Sequence, residues 1–371
     1  MSIKQSLSYR NLIQEKTRFI LSVGGITLAV MLILLLNGLM KGLYEQFGAY
    51  LRNTPGTVVV SQAGINNFIG STSTLSSDTV ETIQEIDGVS QVIPVLSQFI
   101  ILDLHDKKQP AYLIGYDSSI GGGPWRISAG REAQSGNEVV FDRTLANRHQ
   151  IQVNDTLNIM GEQFKVVGLS DGTASWMTSY VFMPKASMET LFGLKGDTSF
   201  VLVTADTGVT QQKLMERLNT TLAGVHASAE DEVIANDLNL FARFFSAPLQ
   251  LMVGIAFLIG TLIVGLIIYT ATTERQKEYG VLKAVGSKNN LLYRTVAIQS
   301  LIVASLGSLA GVGLTFEVAR LITTIRPQFL ILIEPTSIFG AVVAGMAMAS
   351  LGAFFSIWAV TRLSPAEVFR K

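Results

Sequence analysis

The side chains best suited to chemistry are few and scattered in this 371-residue chain. There is no cysteine, so neither a disulfide nor a thiolate metal site is available. The three histidines, His105, His149 and His226, lie far apart, and none sits in HExxH or a comparable ligand spacing. The pairs Asp103/His105 and Glu138/Asp142 have no nucleophile or metal spacing around them, and read as solvated charge. The run Gly121-Gly122-Gly123-Pro124 invites a phosphate-loop reading. No lysine or serine follows at the right spacing and no helix pattern opens there, so residues 118–130 are expected to form a flexible surface loop. What stands out instead is a dense charge cluster, Glu274-Arg275-Gln276-Lys277-Glu278-Tyr279-Gly280-Val281-Leu282-Lys283-Ala284-Val285-Gly286, set between two long apolar segments. It carries no catalytic constellation. Its charges cannot enter lipid, Gly280 and Gly286 allow sharp turns, and Leu282 with Ala284 offers a small apolar tip that a groove on another protein could grip.

The elements around that cluster are membrane spans. Hydrophobic residues make up 48% of the chain, charged residues 15%, and the mean hydropathy is +0.39. Four windows lack any Asp, Glu, Lys or Arg: Phe19 to Met40, Phe244 to Thr273, Thr295 to Phe316 and Pro335 to Thr361, of 22, 30, 22 and 27 residues. About 20 apolar residues cross a bilayer, so each window fits one helix and none fits two. The first is no signal peptide: it is longer than a normal h-region, and Asn37-Gly38-Leu39-Met40 offers no cleavage site. The segments 1–18, 274–294 and 362–371 together carry 12 basic and 4 acidic residues, whereas Lys41 to Arg243 carries 14 basic and 22 acidic. The positive-inside rule therefore puts both termini and the Glu274 loop in the cytoplasm and residues 41–243 outside. Ser2 to Arg18 is expected to be an amphipathic helix on the inner leaflet.

The outside region reads as α+β. Strand-like runs occur at 57–61, 98–104, 111–116, 138–141, 164–169, 180–183 and 200–204, with helices expected at 78–86, 143–150, 185–192 and 211–222. Asp78 with Glu81 looks like a capping box. Residues 231–243 are polar, helix-compatible and continuous with the second span, where Pro248 argues for a kink. Gly307-Ser308-Leu309-Ala310-Gly311 and the ridge Gly345, Ala349, Ala353 are placed for close helix packing, within the chain rather than in a dimer. No charge lies mid-membrane. Ion-coupled transport commonly needs one, so the energy source is expected to be external.

The motif Glu274-Arg275-x-x-Glu278-x-Gly280-x-Leu282-Lys283-Ala284-x-Gly286 resembles the cytoplasmic signature of the FtsX-like, MacB-like (type VII) ABC transporter permeases. Ser8-Tyr9-Arg10-Asn11-Leu12 and the tail residues Ala359, Arg362, Pro365, Ala366 and Arg370 are similar to further family patterns, and the resemblance covers the whole chain. It implies four transmembrane α-helices with a large α+β extracytoplasmic domain between helices 1 and 2. The segments are a cytoplasmic amphipathic helix (1–18), helix 1 (19–40), the MacB-like core domain (41–243), a stalk with helix 2 (244–273), the coupling region (274–294), helix 3 (295–316), an outer loop (317–334), helix 4 (335–361) and a cytoplasmic tail (362–371). The chain has no GxxxxGK[ST], so it is expected to be no enzyme, with ATP and Mg on two copies of a separate ABC ATPase that grip Glu274, Arg275, Glu278, Gly280, Leu282, Lys283, Ala284 and Gly286.

The resemblance is greatest to the stand-alone HrtB/DevC permeases. It implies a homodimer in the bacterial cell (inner) membrane that exports a hydrophobic or amphipathic molecule by mechanotransmission, haem first. Export of lipid, peptide or drug with a membrane-fusion partner is one alternative. An FtsX-like signalling subunit acting on an extracytoplasmic hydrolase is the other. No cofactor of its own and no nucleic acid is expected. Met31, Met40, Tyr44, Phe241, Arg243, Phe244, Phe245 and Met252 are the candidate substrate residues, with Met or Tyr on haem iron and Arg243 on a propionate.

Overall fold

The computed structural model describes residues 16–134, 136–174, 179–274 and 289–361. Four helices are long and apolar enough to cross a membrane: Phe19–Phe47, Glu230–Thr270, Val296–Ile325 and Pro335–Phe354. An α+β domain is inserted between the first and the second. The chain divides into two compact units, a membrane unit (residues 1–41, 245–326 and 331–371) and an outer domain (42–244 with 327–330).

The outer domain contains α2 (Ala49–Asn53), β1 (Val58–Gln62), α3 (Ser77–Glu85), β2 (Val89–Leu104), β3 (Lys107–Tyr116), β4 (Ile127–Gly130), β5 (Glu138–Asp142), α4 (Arg143–His149), β6 (Thr156–Ile159), β7 (Glu162–Ser170), β8 (Ser179–Pro184), α5 (Lys185–Phe192), β9 (Phe200–Ala205), α6 (Gln211–Thr221) and β10 (Val225–Ala229). Strand order is β10-β1-β9-β2-β3-β8-β5-β7-β4, with β6 on β7. The first four strands are all antiparallel, and with α3 and α6 they form a βαββαβ unit of the split, ferredoxin-like kind.

Alternation explains its burial. Val201 and Val203 of β9 face α3 and α6, beside Ile83, Leu214 and Leu218. Phe200 and Leu202 face the opposite core with Val59 and Ile93. Both faces being covered, β1 is buried at every valine, as its Val58-Val59-Val60 composition requires.

Between β2 and β9 the chain builds a second lobe around Leu102, Leu113, Phe141, Phe164, Val181 and Met183. Strand β2 serves both lobes: Val89 to Val95 pair with β9, and Leu96 to Leu104 pair with β3. At the switch, Ser199 N–H donates to the Val95 carbonyl (2.9 Å) and Ser97 N–H to Ser199 Oγ (3.0 Å).

Two expectations need correction. Helix α3 is capped by Ser76, whose hydroxyl accepts from Thr79 N–H, not by Asp78, which lies in the first turn and there offsets the helix dipole. The 118–130 stretch is anchored rather than loose: the Tyr50 hydroxyl donates to the Gly122 carbonyl (2.8 Å), and Gly123 packs directly on the Tyr116 ring. That approach leaves no room for a side chain at Gly123.

The membrane unit holds most of α1 (Lys16–Phe47), the rest of α7 (Glu230–Glu274), α8 (Asn289–Ile325) and α9 (Pro335–Thr361). Its core of Ile26, Val30, Leu34, Val264, Val303 and Met348 is closed by contacts at glycines. A Cβ on Gly307 would stand 2.7 Å from Ile26 Cβ and 3.0 Å from the Val23 carbonyl oxygen, and one on Gly311 2.9 Å from the Thr27 oxygen. The GxxxG of α8 therefore packs on α1 of the same chain. Gly345 of α9 meets Ser308 and Val30, and Gly260 of α7 meets Met348 (2.6 Å) and Ala29 (2.8 Å). Helices α7 and α9 cross where Gly352 meets Gly265, a Cβ on the former lying 2.9 Å from the latter's nitrogen.

Candidate functional site

Helix α7 is the element on which the candidate site depends. It has 45 residues, with Pro248 inside it, and at 1.5 Å per residue that is about 68 Å, twice a hydrocarbon core. All its charged residues before Glu274 precede Phe244: Glu230, Asp231, Glu232, Asp237 and Arg243. Residues 230–244 belong to the outer domain, where Val233 and Ile234 are buried in the core beneath β1 and β9.

Asp237 is buried there too (3% exposed), and its Oδ1 accepts from Ile69 N–H at 3.1 Å. Burial pushes this carboxyl up to about 7, against the pull of hydrogen bonds from Ile69 N–H, the Asn67 side chain and Phe68 N–H. Beside it the Asn236 side chain donates to the Asn66 carbonyl (3.2 Å). The residue so held, Phe68, is 1% exposed. Its ring stacks on Tyr50 (5.1 Å between centroids) and tilts against Phe200 (4.8 Å), while the Tyr112 hydroxyl donates to the Phe68 carbonyl (3.0 Å). Burial raises the Tyr112 hydroxyl to about 12 and lifts Tyr180 well above the ordinary range, so both are neutral at any physiological pH.

A second arrangement involves the segment 327–334. In the outer domain, Gln46 Nε2 donates to the Gln328 carbonyl (3.0 Å), and Gly42 lies so close to the Leu330 carbonyl that no Cβ fits. In the membrane unit, Leu332 N–H donates to the Gly38 carbonyl (3.0 Å), and Lys41 pairs with Glu334, whose carboxyl it holds below the usual range. Glycines 38 and 42 lie one turn apart on α1 and leave the track that this backbone follows.

The sequence-predicted residues fare unequally. Glu274 is the last residue of α7, while Arg275, Glu278, Gly280, Leu282, Lys283, Ala284 and Gly286 lie outside the described residues, as do 1–15 of the expected N-terminal helix and the tail 362–371. In the outer domain Tyr44 is half-buried and Arg243 exposed; Phe244 is 69% exposed, and Phe241 is buried with its ring on Phe47 (4.8 Å). In the membrane unit Met31, Met40 and Phe245 are half-buried and Met252 is exposed. Met31 and Met40 are nine residues apart on one helix, which puts them on opposite sides and about 14 Å apart along the axis. They cannot ligate the same iron within one chain.

Residues 19–221, over half of the chain, match the family described as MacB-like periplasmic core domain, and residues 251–365 match the FtsX-like permease C-terminal family. The chain belongs to the MacB/FtsX family of ABC transporter permeases. Among its relatives, the uncharacterized ABC transporter permease YknZ of Bacillus subtilis is 23% identical over 400 residues, covering 100% of this chain and 98% of YknZ. HrtB of Staphylococcus epidermidis, named as a hemin transport system permease, is 20% identical with 98% of each chain covered. The macrolide export ATP-binding/permease protein MacB of Psychrobacter cryohalolentis is 21% identical over 96% of this chain and 58% of its own length.

For a permease of this family, the residues that the sequence did not mark are Phe68, Asp237 and the 327–334 segment. Asp237 gives no signal among the polar residues of 231–243, and Phe68 sits in a Gly- and Ser-rich stretch. Only the glycine pair Gly38 and Gly42, at i,i+4 spacing, hinted that something approaches α1 closely.

Proposed function

We propose that this permease is the membrane subunit of an exporter in which a separate ATPase subunit, two copies to two permeases, drives the outer domain through α7. The observation that carries this is the span of that one helix. It starts in the core of the outer domain at Val233 and Ile234 and ends at Glu274, the first residue of the charged motif. A helix with both ends so placed can pass displacement from a cytoplasmic grip at Glu274 to Gly286 to the fold outside. The 12-to-4 basic surplus of the remaining short segments supports a cytoplasmic position for both termini, in a bacterial cell membrane.

The cargo we propose is hydrophobic or amphipathic, haem before lipid, peptide or drug. Helix α7 is the span least covered by its own chain, 17% buried against 33% to 39% for the others, and it exposes Leu251, Met252, Ile255, Leu258 and Leu262. Such a face suits a second copy and a lipid-soluble ligand arriving sideways. HrtB's name supports haem. Phe241 is covered by its own chain, and Met31, Met40, Tyr44, Arg243, Phe244, Phe245 and Met252 remain as the candidate set.

Purified complex titrated with haem tests this: a Soret shift at one haem per dimer, weakened by Met252→Leu or Tyr44→Phe, is the expected result. No shift at equimolar haem sinks the haem assignment. Stimulation of ATP hydrolysis by a secreted hydrolase alone would move the reading to signalling.

A further inference from the structure

We propose that the loop Gly64–Gly70 is a latch, closed on α7 through Phe68 and Asp237, that opens and recloses in each ATP cycle. This rests on α7 being the element that moves.

At its start the loop is tied to β1, where Ile65 N–H donates to the Gln62 carbonyl (3.0 Å) and the Ser61 hydroxyl to the Ile65 carbonyl (2.6 Å); beyond that point side chains hold it. Asp237 takes the Ile69 amide, Asn236 the Asn66 carbonyl and Tyr112 the Phe68 carbonyl. Two of these three grips are on α7. The third, with the stacking of Phe68 on Tyr50 and Phe200, belongs to the body of the domain. Shifting α7 by part of a turn would break the grips of Asp237 and Asn236 together and leave the Tyr112 bond intact.

The energetics suit a part that must let go. A buried carboxylate gives up its hydration and recovers only part of it from amide donors. Opening exposes Phe68, which is unfavourable, and returns water to Asp237, which is favourable. The two effects oppose each other, so the closed state is held without being locked. Glycines bound the loop: Gly64 and Gly70 have φ of +87° and +82°, and a Cβ at Gly64 would meet nothing within 4 Å while one at Gly70 would touch Leu240 of α7 (3.7 Å).

The absence of cysteine makes the test direct. Asn66→Cys with Asn236→Cys, in the full chain co-expressed with its ATPase, can be bridged by a short bis-methanethiosulfonate reagent that dithiothreitol cleaves. Bridging is expected to lower ATP turnover at least fivefold relative to the same double variant before the reagent is added, with recovery on reduction and no effect of the reagent on either single-cysteine protein. In unbridged complex, hydrogen exchange at the Phe68 and Ile69 amides is expected to rise at least tenfold during turnover relative to the nucleotide-free state. A bridged complex that turns over at the unbridged rate overturns the latch. So does equal amide protection in both states. Neither measurement uses haem, so failure of the cargo assignment leaves the result readable.

Discussion

The two units solve the same problem, holding long segments together, with opposite chemistry. In the membrane unit close approach is made at glycines: Gly307 and Gly311 meet both backbone and side chain of α1, Gly345 and Gly260 receive side chains, and Gly265 and Gly352 meet backbone against backbone. The outer domain uses a cluster of large rings, Tyr50, Phe68, Tyr112, Tyr180, Phe182 and Phe200, with a carboxylate among them. Lipid supplies no hydrophobic drive between helices, so close approach and dispersion must hold the bundle, and small residues permit it. Water does supply that drive outside, so large rings are worth burying and can offset the cost of one charge.

Filling a glycine tests the first half of that contrast and should have the largest effect. Gly307→Leu puts a side chain into Ile26 and the Val23 carbonyl, and the bundle is expected not to assemble, read as loss of folded protein from the membrane fraction. Gly313→Leu, at a position with nothing within 4 Å, should be tolerated. Equal behaviour of the two would remove the bundle's dependence on close approach.

Phe68→Ala tests the second half. Emptying this buried ring site should cost about 3–5 kcal/mol of outer-domain stability, measured by denaturant unfolding followed through Trp125. A loss under 1 kcal/mol would show that the rings around Phe68 close up without it.

Asp237 gives a smaller, pH-dependent effect. Its folded value near 7 lies above the ordinary 3.8, so the folded domain binds this proton more tightly than the unfolded chain. The stabilisation from protonation is complete below pH 4 and is lost as pH rises through about 7, a span worth at most about 4 kcal/mol. Tyr112 of β3 and Tyr180 of β8 face the same group and stay neutral throughout. Thermal melts between pH 5 and 8 should therefore slope downward in the native chain and flatten in Asp237→Asn; parallel slopes would show that other groups set the dependence.

The smallest effect is expected at Lys41→Met. Its ion pair with Glu334 is solvent-exposed, and such pairs contribute at most about 1 kcal/mol. A melting temperature within about 2 °C of native is the expectation; a larger drop would mean that the 327–334 segment is held by charge rather than by the Gly38 and Gly42 track.

Much of this architecture was legible in the chain. Short runs rich in β-branched and aromatic residues, such as Phe200-Val201-Leu202-Val203, marked strands, and Ala111 to Tyr116 and Tyr180 to Met183 did so to within a few residues. The α3, α4, α5 and α6 helices were equally plain. The first half of β2 was hidden by Pro94, which argues against an interior strand, yet it stands at the switch where pairing passes from β9 to β3. The short strands β4, β6 and β10 carried too few residues for a pattern. Phe68 looked like a lone aromatic in a turn-rich stretch, because what buries it comes from Tyr50, Phe200 and Asp237, far away in sequence. The run Phe329-Leu330-Ile331-Leu332-Ile333 read as part of a short outer loop, and nothing local tells that its backbone lies against two glycines of α1. Local period predicts elements; it does not predict which distant backbone they touch.

The neck between the two lobes of the outer domain has a consequence for descent. The chain leaves the ferredoxin-like unit after Val95 and returns at Ser199, and those crossings are joined by the Ser199 to Val95 hydrogen bond. About a hundred residues are thus inserted at a gap one peptide wide, yet Tyr112, Tyr180 and Phe182 of that insertion pack in one core with Tyr50, Phe68 and Phe200. An exchange of the insertion that keeps the register of β1, β9 and β10 must therefore also keep the rings it contributes to that core.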